Sequence, residues 1–195
     1  MSVDTYKASG TERFAALSDE IRERIARVRL LILDVDGVLT DGGLYYGPEG
    51  TMSKRFNVQD GIGISLAKYS GIRLAVITGQ DQPAVAARLR DLGIDDYFPG
   101  FISKCKSYET VRRQCGLKPE EVAFLGDDWI DLPVMGLVGV PLSVCNAQPE
   151  VKDLALYVTE AHGGHGAVRE AVRLVLYCKG QLDQAFQAWM ERHAS

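Results

Sequence analysis

The stretch Leu30-Leu31-Ile32-Leu33-Asp34-Val35-Asp36-Gly37-Val38-Leu39-Thr40-Asp41-Gly42 decides how the chain is read. Four consecutive apolar residues suit a strand covered on both faces, as in a parallel sheet. Two aspartates follow, one residue apart. In extended backbone residues i and i+2 project to one side, so Asp34 and Asp36 flank one small space if that geometry persists. Gly37 then lets the chain turn away. Two carboxylates crowded at the end of a buried strand are unfavourable unless a cation or a proton divides them.

Outward from this stretch, Arg73-Leu74-Ala75-Val76-Ile77-Thr78 predicts a second buried strand, and Val122-Ala123-Phe124-Leu125 a third that ends at Gly126-Asp127-Asp128. Shorter strands are expected over 96–99, 140–144 and 157–159. Helices are expected over 60–69, 83–92, 107–115, 132–138 and 167–177. Pro83 opens one of them, and Gly71, Gly93 and Gly116 close three. Strands alternating with helices predict an α/β domain on a mostly parallel sheet with helices on both faces. Leu44-Tyr45-Tyr46, the turn cluster Gly47-Pro48-Glu49-Gly50 and residues 51–56 predict a β-hairpin, within about 42–57, that projects from that sheet. Residues 1–10 are polar and expected to be loose. Over 11–28, Phe14, Leu17, Ile21, Ile25 and Val28 fall at helical spacing, which predicts one amphipathic helix. The chain then divides into an N-terminal helical extension, 1–28, and a single domain, 29–195. Residues 183–193 add a helical turn or two.

Bulk properties bound the function. With 195 residues, 46% hydrophobic and 25% charged, the sequence reads as a globular domain with a substantial core. A net charge of -4 argues against a nucleic-acid surface. No apolar run reaches the roughly 20 residues of a membrane span, and the N-terminus lacks the apolar core of a signal peptide. Cys105, Cys115, Cys145 and Cys178 form no C-x-x-C pair, so reduced thiols in a cytoplasmic protein are the expectation.

In open α/β sheets, ligands bind beyond the carboxyl ends of the strands. Three strands end there in Asp34 and Asp36, in Thr78-Gly79, and in Asp127-Asp128. Lys104 precedes the helix between the second and third. This set suits a magnesium-dependent phosphoryl site. Mg²⁺ takes carboxylate oxygens, retained waters and a substrate phosphate. Asp34 and Asp127 are its candidate carboxylate ligands, and the Asp36 carbonyl is a third. Thr78, Gly79 and Lys104 are candidates to bind phosphate oxygens. Asp34 would attack phosphorus. Asp36 would protonate the departing alkoxide and later take a proton from water.

Each motif alone has a plainer reading. Asp34 and Asp36 alone fit a solvated loop, Thr78 a strand-end hydroxyl, and Lys104 an exposed lysine. Asp127, Asp128 and Asp131 alone fit acids that favour the N-terminus of the next helix. Asp131 suits that supporting place, or one of orienting its neighbours. Their order on three buried strands favours a site. His162-x-x-His165 has a spacing that suits metal but sits in a Gly-rich turn without partner ligands.

The motifs Asp34-Val35-Asp36-Gly37-Val38, Thr78-Gly79, Lys104 and Gly126-Asp127-Asp128-x-x-Asp131 resemble those of the haloacid dehalogenase superfamily of phosphatases. Further matches are the hairpin, Phe56-Asn57-Val58-Gln59-Asp60-Gly61 and Gly163-Gly164-x-Gly166-Ala167-Val168-Arg169-Glu170. With them, the chain from Arg29 to about Asp183 is similar to the capless 3-deoxy-D-manno-octulosonate 8-phosphate (KDO 8-phosphate) phosphatases of lipopolysaccharide biosynthesis. The resemblance implies a Rossmann-like haloacid dehalogenase fold, Mg²⁺ as cofactor and a phosphorylated 3-deoxy acid sugar as substrate. It also implies a homotetramer in which hairpins pack together and a neighbour's Gly-rich tail helps close each site. It places substrate-binding positions at Asn57, Gln59, Asp60, Gly61, Gln80 and Arg88. Spacing independently argues against a cap domain, because the hairpin, a helix and a strand fill the roughly forty residues between Asp36 and Thr78.

Three positions depart from that family, which usually carries arginine where Gln80 stands, often arginine where Gln59 stands, and a basic residue near Ser65. Glutamine does not replace the charge that captures a sugar carboxylate. The same chemistry on a nine-carbon 2-keto-3-deoxy or sialic-type sugar 9-phosphate is therefore the alternative substrate reading. A phospho-accepting receiver domain also groups acids, a Thr or Ser and a Lys around Mg²⁺, but its acceptor Asp ends a later strand. A catalytically silent, oligomeric binding protein is the third reading.

Overall fold

The apolar run forms β1 (Leu30–Leu33), all four residues fully buried, in a computed structural model that describes residues 8–100 and 103–192. β1 lies at the middle of a six-stranded sheet. The other members are β4 (Arg73–Ile77), β5 (Asp96–Phe98), β6 (Val122–Gly126), β7 (Val140–Ser143) and β8 (Tyr157–Val158), in the order β5-β4-β1-β6-β7-β8. Every pairing in it is parallel. The near-continuous apolar strands follow from this, since both faces of a parallel sheet are covered.

The chain leaves β1 and returns as β4 on one side, then passes back to place β6 on the other. The strand order therefore reverses beside β1, the position at which open α/β sheets form a crevice. Right-handed crossovers put α3 (Val58–Tyr69) and α4 (Pro83–Leu92) on one face. They put α5 (Lys104–Gln114), α6 (Leu132–Met135) and α7 (Pro149–Leu154) on the other. α8 (Ala167–Cys178) packs against α3, and α9 (Leu182–Arg192) packs against both.

The hairpin is a separate two-stranded sheet of β2 (Tyr45–Tyr46) and β3 (Met52–Ser53), with Leu44, Tyr45 and Tyr46 exposed. A single antiparallel bridge between Thr40 and Phe56 ties its foot to the domain. No cap domain interrupts the path from β1 to β4 among the described residues.

The structure corrects several local expectations. In place of one helix over 11–28 there are two, α1 (Glu12–Ala15) and α2 (Asp19–Ala26). Ser18 is the reason. Its hydroxyl accepts the Ile21 N–H at 3.3 Å, so it starts a new helix where the apolar spacing alone would run on. Phe14, Ile25 and Val28 of this segment are buried in the common core. α7 falls where no helix was expected. Of the loose stretch expected over 1–10, residues 1–7 lie outside the described residues, as does residue 193 of the expected final turns.

Candidate active site

Asp34 leaves β1 in extended conformation (φ -74, ψ 170), and its N–H still donates to the Leu125 carbonyl of β6 at 3.1 Å. The next residues form a turn closed by the Thr40 N–H on the Val35 carbonyl at 2.9 Å. Gly37 adopts φ +84 within it, a conformation that disfavours a side chain. A Cβ at this position would lie 2.0 Å from Asp127 Oδ2, so the turn and the second acidic strand end approach closely only because residue 37 is glycine.

A cleft of about 440 Å³ opens at the carboxyl ends of β1, β4 and β6. Asp34, Asp36, Thr78, Gly79, Lys104, Asp127 and Asp128 all line it, with Gln80 and Ile130. Thr78 is buried at the end of β4, and its Oγ1 accepts the Gln80 N–H at 3.4 Å. Lys104, at the first position of α5, is 2% exposed. Its Nζ lies 2.7 Å from Asp34 Oδ1 and 2.6 Å from Asp131 Oδ1. Asp131 is fully buried and spans the site from below, its Oδ2 accepting the N–H groups of Asp127 at 2.9 Å and Asp128 at 3.3 Å. Asp128 caps the turn that follows, accepting the Trp129 N–H at 2.7 Å.

Asp34 and Asp131 share the Lys104 ammonium with Asp127 close by, and the balance is visible in the ionisation of Asp127, Asp34 and Lys104. Burial raises Asp127 to about 8, with the Asp34 and Asp131 carboxylates adding to the effect. Burial likewise raises Asp34 to about 7, against the opposing pull of Lys104. Burial alone would lower Lys104, but Asp34 and Asp131 outweigh it and hold the ammonium above its ordinary value. Lys104 therefore stays charged, and the site remains short of positive charge.

The residues fit a divalent cation. One carboxylate oxygen each from Asp34, Asp127 and Asp131 lie within 4.8 Å of one another. Asp131 is already committed to Lys104 and two backbone N–H groups. Asp127 Oδ1 is buried with no hydrogen-bond partner among the described residues, which is costly for a charged oxygen unless a ligand satisfies it. Small all-oxygen donor sets with room for water and phosphate match Mg²⁺.

The positions implied for substrate binding divide. Gln80 lines the cleft; Asn57, Gln59, Asp60, Gly61 and Arg88 do not line it within one chain. Asn57 caps α3 through its Oδ1 on the Gln59 N–H (2.8 Å), and its Nδ2 donates to the Gly164 carbonyl (3.2 Å). Asp60 is buried and accepts the Gly166 and Arg169 N–H groups at 3.3 and 3.0 Å, so it caps α8. Arg88 lies over Gly61, where a Cβ would stand 2.8 Å from its Nη2, and reaches the Asn57 carbonyl at 3.5 Å. Gln59 is exposed beside Gly166. The Gly-rich turn itself packs on the first loop of its own chain, Gly164 N–H donating to the Val38 carbonyl at 2.9 Å.

Two residues near the site carried no sequence signal. Asn146 accepts the Gly163 N–H at 2.7 Å and reaches the Gly37 carbonyl at 3.5 Å, joining the Gly-rich turn to the first loop. Lys54, just beyond β3, forms an ion pair with Asp36. Lone residues on irregular segments give no periodicity to read. The one available clue was the alternation of Lys54 and Arg55 on the returning hairpin strand.

Comparison with known proteins agrees with this geometry. Residues 63–139 match the family model of haloacid dehalogenase-like hydrolases. The chain is 42% identical over 172 residues to a 3-deoxy-D-manno-octulosonate 8-phosphate phosphatase of Escherichia coli K12, covering 88% of this chain and 92% of the relative. A crystal structure of the phosphatase of that name from Yersinia pestis superposes with a TM-score of 0.83 at 42% identity, covering 85% and 90% of the two chains. Another from Moraxella catarrhalis, in complex with magnesium ion, phosphate ion and a KDO molecule, gives a TM-score of 0.85 at 35% identity, covering 88% and 98%.

Proposed function

The chain belongs to the 3-deoxy-D-manno-octulosonate 8-phosphate phosphatase family of haloacid dehalogenase-like hydrolases and is a phosphoric monoester hydrolase, and we propose that it releases phosphate from KDO 8-phosphate through an aspartyl-phosphate on Asp34. The observation that supports this most is the junction of three strand ends. It sets Asp34 against Lys104 and brings a carboxylate oxygen of Asp127 within 4.8 Å of one of Asp34, in a cleft that Thr78 and Gly79 also line.

In this reading Asp34 and Asp127 hold Mg²⁺, with the Asp36 carbonyl as a further ligand. The ion offsets the repulsion between the Asp34 carboxylate and the anionic phosphate. Thr78, the backbone N–H groups about Gly79 and the Lys104 ammonium hold phosphate oxygens. Asp34 attacks phosphorus as the bond to the sugar oxygen breaks, and Asp36 gives that oxygen its proton. Water then attacks phosphorus, giving a proton back to Asp36, and the Asp34 carboxylate is restored. Asp131 fixes Lys104 and the Asp127-Asp128 backbone. The relatives whose names specify KDO 8-phosphate, and the Moraxella complex with KDO, support the substrate.

Gln80 on the cleft wall keeps a second substrate in view, a nine-carbon 2-keto-3-deoxy or sialic-type sugar 9-phosphate. Phosphate release from both sugar phosphates, with and without Mg²⁺, decides between them. A higher kcat/KM for the eight-carbon substrate is expected, and a clear preference for the nine-carbon one would replace it. We further propose a homotetramer in which the exposed hairpin residues Leu44, Tyr45 and Tyr46 are covered by neighbouring subunits.

A further inference from the structure

We infer that Lys54 is a positioning residue for Asp36, delivered to the site by the hairpin. The inference rests on the reading of Asp36 as the group that moves protons. Lysine is almost never fully buried unless paired, yet the Lys54 side chain is 1% exposed. Its Nζ is ion-paired with Asp36 Oδ1, and the Thr40 hydroxyl lies 3.4 Å from the same oxygen. The Thr40 hydroxyl has a closer acceptor in the Val35 carbonyl at 3.2 Å, so the Lys54 ammonium is the donor that engages Oδ1, and Oδ2 is left as the oxygen that exchanges a proton with substrate or water. The Asp36 side chain itself is 34% exposed and lines the cleft. Without a clamp on one oxygen, it would be free to turn among rotamers. A displacement of about 1 Å at a reacting group can lower rates by roughly a hundredfold.

The hairpin explains how Lys54 comes to be there. Its return strand ends at Ser53, and Lys54 and Arg55 link it to the bridge between Phe56 and Thr40. Alternation along this segment sends Lys54 to Asp36. It sends Arg55 the other way, to the Gly164 carbonyl at 3.1 Å and to Asp41 at 3.6 Å. A slip of one residue in hairpin register would exchange the two. The projecting hairpin is thus coupled to the proton-transfer step through one side chain. The proton that the leaving oxygen receives comes from Asp36, and the one Asp36 later accepts comes from the attacking water.

The test uses the Mg²⁺-loaded enzyme and two substrates. KDO 8-phosphate expels an alkoxide that needs a proton, and 4-nitrophenyl phosphate expels a phenolate that leaves without one. In Lys54→Met, the ratio of kcat/KM for KDO 8-phosphate to that for the nitrophenyl ester should fall about tenfold to a hundredfold. A burst of nitrophenol should precede the steady state, because the water step also depends on Asp36. Lys54→Gln, which retains a donor, should fall less, and it gives the same readout if the Met variant fails to fold. Asp36→Asn serves as reference. If it lowers the ratio and neither Lys54 variant does, or if Lys54 variants lose both substrates in proportion, the inference is overturned while the role of Asp36 stands. If Asp36→Asn leaves the ratio unchanged, that role fails and the inference with it.

Discussion

Chelating the divalent cation should make the folded protein steadily less stable as pH rises from about 5.5 to 8. Without the cation, Asp34, Asp127 and Asp131 surround a single ammonium, that of Lys104. Asp127 has an ordinary value of 3.8 and is held at about 8 in the fold, chiefly by burial. A carboxyl raised in this way keeps its proton longer folded than unfolded. Its contribution to stability is complete below the unfolded value and is lost as pH rises through the folded one. Each extra proton bound by the folded state corresponds to about 1.4 kcal/mol per pH unit. One such proton across two pH units corresponds to roughly 3 kcal/mol, or about 6–12 °C in Tm for a domain of this size. Asp34, raised to about 7 by burial, adds to the slope in the lower part of the window. Saturating Mg²⁺ should flatten the slope by taking the place of those protons, and its apparent affinity should tighten with pH. Thermal unfolding in chelator and in Mg²⁺, at half-unit pH steps, measures both effects. A Tm in chelator that is flat or rises with pH across this window would refute the electrostatic account of the site.

Other consequences follow from single contacts. Gly37→Ala should lose most Mg²⁺-dependent activity, because its Cβ would stand 2.0 Å from Asp127 Oδ2 and left-handed backbone adds about 1–2 kcal/mol of strain; calorimetric Mg²⁺ affinity and kcat at wild-type level would contradict this. Asp60→Ala should lower stability by about 1–3 kcal/mol, since it uncovers two backbone N–H groups at the start of α8. Denaturant unfolding measures that loss, and a large rise in KM without it would return Asp60 to substrate binding. Gln80→Arg should lower KM for KDO 8-phosphate about tenfold or more if the sugar carboxylate lies near the cleft wall, as a new charged hydrogen bond is worth about 1.5–3 kcal/mol. An unchanged KM removes residue 80 from that subsite.

The fold was legible in the sequence where burial on two faces left long apolar runs. Leu30 to Leu33, Leu74 to Ile77 and Val122 to Leu125 each read as a buried strand, and all of these residues are buried in the sheet. The acids, hydroxyl and lysine at their ends then converge because all three strands point the same way. What stayed hidden depends on contacts between segments distant in sequence. Asp60 looks like part of a substrate motif, but its oxygens are directed at a helix more than a hundred residues away. Lys54 looks like an exposed hairpin lysine, and only the register of that hairpin turns it inward. Residues 11–28 kept their apolar spacing through a helix break, because Ser18 redirects the backbone by a local hydrogen bond that periodicity does not register.

The covalent step at Asp34 is the claim on which the mechanism stands. Asp36→Asn, incubated with Mg²⁺ and 4-nitrophenyl phosphate, whose phenolate leaves without a proton, and quenched in acid, is slowed at the water step and should retain one phosphoryl group on the peptide that carries Asp34. Mass spectrometry should find that mass increment there, and should find none in Asp34→Asn treated identically. Phosphate release by Asp34→Asn at wild-type rate, or a phosphoryl group on any other residue, would contradict the account.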